Sequence, residues 1–454
     1  MSASFSPQEL SGITGGSWFN DLVPPGNLVI STDTRCENRG KIFFALAGER
    51  FDAHNFLTQA VDSGCDAICV NREKSALIPP EIPALLVDNT LIAMQKCAAF
   101  HRRRFPGLTV FGVTGSVGKT SVKEMLRSIC SHAAGADKVL ATIGNTNNQV
   151  GVVQNILRLT GEHRFAVLEA GTSSPGEIAP LARMIQPDGA IVNSIAPCHL
   201  ENLLSLEGVA AEKGTMFHHL ADNGAAVFPA ETAGKEILQN SAADHRRFTF
   251  GMDGNGDVSA RFISGELSGS TFELTFPDGK CFQISWHLTG KHNALNAAGA
   301  AALAFACNIP PEVIAQALPA TELPGMRMKK TIIDQVTYFN DAYNANPASM
   351  HASVELLASA TFPGRLILLL GGMRELGELS LSSHQKLLDE IALKLPDAKV
   401  IAIGAEFAGL TPCHFNSAAD AGTYLQTQLL PGDTVFAKGS RGNCVENALP
   451  PEAR

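Results

Sequence analysis

The sequence predicts an α/β protein in three parts. A central, mainly parallel sheet with helices on both faces is flanked by a small N-terminal α/β part and by a second, doubly wound C-terminal sheet. Three observations predict this. The chain has 454 residues, room for about three domains. Through its middle and last thirds, short apolar runs alternate with helical patterns, as in parallel strands covered by helices. Turn-forming residues punctuate it twice, at Phe105-Pro106-Gly107 after three arginines and again between Pro319 and Gly325, where helices end and connections run. The expected parts are residues 1–106, 107–322 and 323–454.

The elements follow in order. In the middle part "LTVFGVTG" reads as a strand and "KTSVKEMLRSICSH" as an amphipathic helix. "FAVLEAG" and "GAIVNSI" read as buried strands, and "HNALNAAGAAALAFAC" as an Ala-rich helix. In "STFELTFPDGKCFQISW" two alternating runs flank Pro-Asp-Gly, which predicts a hairpin. The last part returns to alternation, with "RLILLLGG", "AKVIAIG" and "DTVFAKG" as strands. No internal repeat or low-complexity segment interrupts the pattern.

Composition narrows the function. The chain is 45% hydrophobic and 17% charged, which suits sizeable buried cores. A net charge of −9 disfavours non-specific binding to nucleic acid or anionic lipid, so an anionic ligand needs a local cationic site. The start, MSASFSPQEL, lacks a basic end and an apolar run, and no apolar run is as long as a membrane span. A cytoplasmic protein is expected, with no signal peptide, membrane span or nucleic-acid partner. Ten dispersed cysteines without a CxxC pair read as reduced core thiols, and a zinc site is not supported.

The chemistry concentrates after the first central strand, at Gly112-Val-Thr-Gly115-Ser-Val-Gly118-Lys119-Thr120. The general phosphate-loop spacing asks for glycine at position 113, where Val113 stands. The physical requirements are nevertheless met. Glycines let backbone amides approach phosphate oxygens, and the following helix offers its free N–H groups and positive dipole end. Lys119 can reach the β- and γ-phosphates, and the Thr120 hydroxyl can bind Mg²⁺. Glu169 closes the strand "AVLE" at the edge where ligands bind in open α/β sheets, placed as a hard oxygen ligand for the same ion. Taken alone, His199 in "PCHLE" reads as a satisfied or partly exposed histidine, and Lys213 in "AAEKGTMF" as a solvated helical lysine.

The spelling T-G-S-x-G-K-T resembles the ATP loop of the Mur ligases, which build the peptide of bacterial cell-wall precursors. The resemblance continues through "IGNTNNQVG" (Ile143–Gly151), "VLEAGTSSPGEI" (Val167–Ile178), "APCHLENLLSLEGVAAEKG" (Ala196–Gly214) and "GKHNALNAAGAAALA" (Gly290–Ala304). In the third part it includes "GMR" at 325–327, "NDAYNANPASM" (Asn340–Met350), "GGMRELGE" (Gly371–Glu378) and "AKGSRG" (Ala437–Gly442). The first part adds "STDTR" (Ser31–Arg35) and "FFALAGERFDAHNF" (Phe43–Phe56), so nearly the whole chain is covered. The pairing of "DAYNANP" with "KGSR" is most similar to the members that add D-alanyl-D-alanine to a UDP-N-acetylmuramoyl-peptide. An enzyme of the diamino-acid-adding step or a specialised pathway, or a non-catalytic nucleotide-binding homologue, stands as the alternative.

The resemblance implies small-molecule substrates, ATP with two Mg²⁺ ions, a monomer, and a Rossmann-like third domain that binds the amine and closes on ATP. Gly115, Ser116, Gly118, Lys119, Thr120 and Ser121 would hold the phosphates, Asn293 and Asn296 the adenine end. Thr120, Glu169, His199 and Lys213 would hold metal, Lys213 as a carbamate formed with CO₂. Lys119, His199, Lys213 and Arg327 would act in catalysis. Arg327 would also reach the ATP phosphates, and Asp341 the ribose. Ser31, Thr32, Thr34 and Arg35 would anchor the UDP handle, whereas Asn344, Asn346, Pro347, Lys438, Ser440 and Arg441 would bind the amine substrate. The chain departs from the family's pattern at four places. Gly371-Gly372-Met373 stands where Gly-Asp-Met is common, and Asn202-Leu203-Leu204-Ser205 where Phe-Gly-Ser is usual. Thr215 stands for a glutamate two residues after Lys213, and Val153 for a proline.

Overall fold

A computed structural model describes residues 3–48 and 51–454. Met1, Ser2, and Glu49 and Arg50 of the "FFALAGERFDAHNF" stretch lie outside the described residues. Three sheets organise the chain.

The first has six strands in the order Ser4–Phe5, Leu28–Ser31, Lys41–Phe44, Ala67–Asn71, Ala84–Val87, Ser17–Trp18. The inner four are parallel and the outer two antiparallel. The helix Thr90–Arg103 follows, started by Asn89, whose side chain accepts from Ile92 N at 3.0 Å, a standard cap. Its apolar positions Ala93, Met94, Cys97 and Ala98 pack against the helices Gln149–Ile156 and Ile178–Ile185 of the middle part. One hydrophobic core therefore runs from Phe5 and Phe44 through this helix to Leu181 and Phe228. Buried Arg102 locks the junction by donating to Ile185 O at 3.3 Å.

The central sheet has nine strands. Its parallel body runs Val139–Ala141, Phe165–Glu169, Thr109–Thr114, Gly189–Val192, Ala225–Pro229, Arg246–Met252, Val258–Glu266. The expected hairpin is present as Gly269–Thr275 with Cys281–Trp286. Its turn is closed by Gly279 at φ +82°, a conformation glycine adopts without cost. Strand Val258–Glu266 also pairs antiparallel with it, so the extension has three strands where the sequence showed two. The helix Lys291–Ala306 packs on one face with the helix Lys119–Ala134, and its alanines and Gly299 let it lie close to Ile191 and Phe250.

The third sheet runs Lys329–Ile333, Val336–Asn340, Thr434–Lys438, Leu366–Gly371, Lys399–Ile403, His414–Phe415, parallel except for its first strand. Two cores of its own cover its faces. All ten cysteines are free, but the expectation of core thiols holds only in part: Cys36, Cys281 and Cys444 are exposed. Among the described residues, no helix is long and apolar enough to cross a membrane.

Candidate functional site

The strand Thr109–Thr114 lies between Phe165–Glu169 and Gly189–Val192, so its end opens between two other strand ends. There the chain turns through Gly115 to Gly118 into the helix Lys119–Ala134. Gly118 has φ +81°, and a Cβ on it would lie 2.5 Å from both Asn193 Nδ2 and Asn296 Oδ1, so only glycine fits. Ser194, just beyond the neighbouring strand, braces the loop: its carbonyl accepts from Ser116 N at 2.9 Å and its hydroxyl from Val117 N at 2.8 Å. Asn193 Nδ2 donates to Val117 O and to Asn296 Oδ1, each at 2.9 Å. Lys119 arches back to donate from Nζ to Gly115 O at 2.8 Å. Thr120 and Ser121 are buried in the first turn.

Glu169 is 2% exposed. It accepts from Thr120 Oγ1 at 3.0 Å and from Asn147 Nδ2 at 2.9 Å, while its N–H donates to Thr142 Oγ1 at 2.9 Å. Thr142 O in turn receives buried Lys123 Nζ at 2.8 Å. The carboxylate is thus held by Thr120 and Asn147, and the backbone beneath it by Thr142, beside the loop.

Lys213 overturns its stand-alone reading. It is 1% exposed, on the helix Leu206–Gly214 capped by Ser205. Burial, together with the Lys119 ammonium, pushes its amine down to about 8. Its neighbour Glu212 accepts from Gly176 N at 2.7 Å and Ile178 N at 2.8 Å, tying this helix to the "GTSSPGEI" loop. His199 sits in the left-handed region at φ 52°, before the short helix Leu200–Leu203. Its Nδ1 lies 2.5 Å from Glu375 Oε2 of the third part. The His199 ring holds the Glu375 carboxyl below its usual range. Leu204 follows at φ 65°, ψ −40° and is 82% exposed.

Asn293 and Asn296 are buried on the helix Lys291–Ala306. Neither caps it. Asn293 donates back to Thr289 O at 2.9 Å, and Asn296 meets Asn193 as described.

The remaining expected residues gather at the strand ends of the third sheet and in the first part. Arg327 stacks on the Tyr343 ring at 3.7 Å and donates to Pro324 O at 3.0 Å. Asp341 and Lys438, expected on different ligands, are paired with each other: Lys438 Nζ donates to Asp341 Oδ2 at 2.5 Å. Asn344 Oδ1 accepts from Ala345 N at 2.9 Å. Asn346 and Pro347 start the helix Pro347–Ala358, with Asn346 Oδ1 accepting from Ser349 N at 2.9 Å. Ser440 Oγ donates to Ala345 O at 3.2 Å, and Arg441 Nη1 to Glu446 Oε1 at 2.7 Å. In the first part, Ser31 Oγ donates to buried Asn38 at 2.7 Å, and Thr32 faces Gln154 of the central part at 3.5 Å. Arg35 grips Asp33 at 2.9 and 2.8 Å, holding that carboxyl below its usual range, and with Thr34 lines an open depression.

The structure therefore brings the glycine loop, Lys119, Thr120, Glu169 and Asn296 together at one sheet edge, and the third part meets the central one at His199–Glu375. The sequence reading missed Asn147, Asn193, Ser194 and Glu212. Asn193 and Ser194 directly follow "GAIV", at the same sheet edge as Glu169, which is the signal that could have found them.

The Mur ligase middle domain matches residues 113–304, and the Mur ligase, glutamate ligase domain matches residues 326–441. The chain is 37% identical to the UDP-N-acetylmuramoyl-tripeptide–D-alanyl-D-alanine ligase of Haemophilus influenzae and 34% identical to that of Escherichia coli, covering 92% of each chain in both pairs. Among solved structures it is similar to MurF from Acinetobacter baumannii, with a TM-score of 0.90 at 31% identity over 98% of both chains. It is also similar to MurF ligase from Thermotoga maritima in complex with ADP, with a TM-score of 0.81 at 25% identity over 96% of this chain and 98% of that one.

Proposed function

The chain belongs to the Mur ligase family, and we propose on that footing that it joins D-alanyl-D-alanine to a UDP-N-acetylmuramoyl-tripeptide in peptidoglycan precursor synthesis, acting as an ATP-dependent, amide-forming ligase. The observation that carries the reading is near-full-length identity to ligases of that name, on a chain whose glycine loop, Lys119, Thr120 and Glu169 form a braced site.

In this reading the acceptor carboxylate attacks the γ-phosphorus of ATP, giving an acyl phosphate and ADP. The dipeptide amine then attacks the acyl carbon, and the tetrahedral intermediate collapses to amide and phosphate. Loop amides and Lys119 stabilise the charge that develops on the phosphates. Lys119 would leave Gly115 O to do so. Asn296 and Asn293 take the adenine end, while Arg327 and Asp341 come onto ATP as the third part closes and water is excluded from the acyl phosphate.

The residues fit magnesium. The Thr120 hydroxyl and Glu169 carboxylate are hard oxygen donors 3.0 Å apart, and they would hold one ion. His199 and Lys213 would hold a second. An ammonium cannot ligate a cation, but an amine lowered to about 8 has the neutral fraction that reacts with CO₂, and the resulting carbamate is an oxygen donor. Magnesium, when bound, offsets phosphate charge. The loop Ser31, Thr32, Thr34 and Arg35 would take the UDP handle, and the Asn344–Pro347 and Lys438–Arg441 segments the amine. The protein would act as a monomer.

A substrate panel tests the reading. ADP release should require both the UDP-tripeptide and D-alanyl-D-alanine. Release with a UDP-dipeptide and a diamino acid instead would move the chain to the preceding step, and release that ignores the amine would sink the ligase reading.

A further inference from the structure

By resemblance the amine substrate falls to Lys438 and Arg441, yet the structure gives both cations hydrogen-bonded carboxylates: Asp341 at 2.5 Å and Glu446 at 2.7 Å. A third cation stands at the same sheet edge. Arg374 follows the strand Leu366–Gly371, and its backbone N–H donates to Ser440 Oγ at 3.0 Å. Its guanidinium donates from Nη2 to the amide oxygen of Asn443 at 3.3 Å. Its nearest carboxylate, Glu406 Oε1, stands 3.7 Å from Nε, beyond hydrogen-bond reach. With five N–H donors and a side chain 53% exposed, the guanidinium keeps most of its fork open to solvent.

This pair is built into the sheet edge. A Cβ at Gly442 would fall inside the Arg374 guanidinium, and a Cβ at Gly372 or Gly404 inside the Glu406 carboxylate. Gly372 and Gly404 follow two strand ends and Gly442 lies in the turn Arg441–Asn443, so three side-chain-free positions border the pair. Gly372, where the family's spelling carries an aspartate, thus makes room for a carboxylate arriving from beyond the strand Lys399–Ile403. The next residue, Glu375, turns through φ +64° to meet His199, so Arg374 stands one residue from the seam with the ATP site.

We propose that Arg374 receives the free carboxylate of the incoming dipeptide and that Glu406 is the positioning residue that holds its guanidinium for that role. The inference rests on the ligase reading above and deepens its amine site. A planar guanidinium matches a carboxylate with two parallel hydrogen bonds, which lysine cannot do. Glu406, set back at 3.7 Å, orients the fork by charge without filling it.

The test uses the full chain with ATP and UDP-tripeptide, comparing D-alanyl-D-alanine with its C-terminal amide. The unaltered protein should prefer the acid in kcat/KM by roughly ten- to a hundredfold, the worth of a charge-assisted pair. Arg374→Gln should raise KM for the acid by that factor, leave KM for ATP unchanged and bring acid and amide level. Glu406→Ala should weaken the preference, and adding Gly372→Asp to it should restore the preference by supplying the carboxylate from the other strand. Undiminished preference in Arg374→Gln would overturn the assignment. Undiminished preference in Glu406→Ala would overturn the positioning role. Turnover with neither amine in the unaltered protein would overturn the reaction itself, and the assignment with it.

Discussion

Thr120 Oγ1 donates to Glu169 Oε2 at 3.0 Å, so the first turn after the glycine loop and the end of the adjacent strand hold each other. Asn147 donates to the other carboxylate oxygen, and Thr142 accepts from the Glu169 backbone N–H. Glu169→Gln keeps the size and a hydrogen-bonding amide while removing the charge. Turnover is expected to fall about a hundredfold or more, the scale on which preorganised electrostatic groups act. The magnesium concentration for half-maximal ADP release should rise as well. An unchanged magnesium titration would remove Glu169 from the metal site.

Lys213 gives a stability experiment. Its amine is near 8 in the fold and 10.5 when free, so the ammonium disfavours the folded state. The penalty is full below about pH 8, fades as pH rises, and is gone above the free value. Lys213→Met, compared in CO₂-free buffer, is therefore expected to be more stable at neutral pH by on the order of 3 kcal/mol. That gain should vanish near pH 10.5. Denaturant unfolding at the two pH values measures it, and the same variant should not turn over.

Leu204 occupies the centre of a tight turn closed by Ser205 N donating to Leu203 O at 2.7 Å, with φ 65° and ψ −40°. Turns of this hand are rare and strained, and the 82% exposed side chain recovers little in packing. Leu204→Gly is expected to stabilise the protein by about 1 kcal/mol, strain relief outweighing the added freedom of the unfolded chain. A thermal midpoint that fails to rise would show that the turn is not strained.

The glycine loop, its flanking strand and helix, and Glu169 were legible because a strand–loop–helix unit is local: the spacing that encodes it also positions it. The same holds for the Pro-Asp-Gly hairpin and the alternating strands of the third sheet. Lys213 was not legible from its neighbours, since nothing in "AAEKGTMF" tells which face of a short helix is covered by other parts of the chain. Lys438 and Asp341 were read as separate contacts. Their 97-residue separation hides a pairing that exists only once two strands lie side by side. Glu406 carries no motif at all. Its place is written in what is missing at Gly372 and Gly404, which a one-dimensional pattern records as absence.

The helix Thr90–Arg103 has a further consequence, for how the chain comes apart. Because it seats the first sheet on the helices Gln149–Ile156 and Ile178–Ile185 of the central part, with one apolar core shared between them, neither can expose that shared face without exposing the other's. The third sheet keeps two cores of its own and meets the rest through contacts such as His199–Glu375 and Leu267, which packs on one of those cores. Three sheets are therefore expected to melt as two cooperative units, which calorimetry would resolve as two transitions. The larger unites the UDP-handle loop with the glycine loop, and the smaller, which carries Arg374, can loosen and re-dock without unfolding its neighbour.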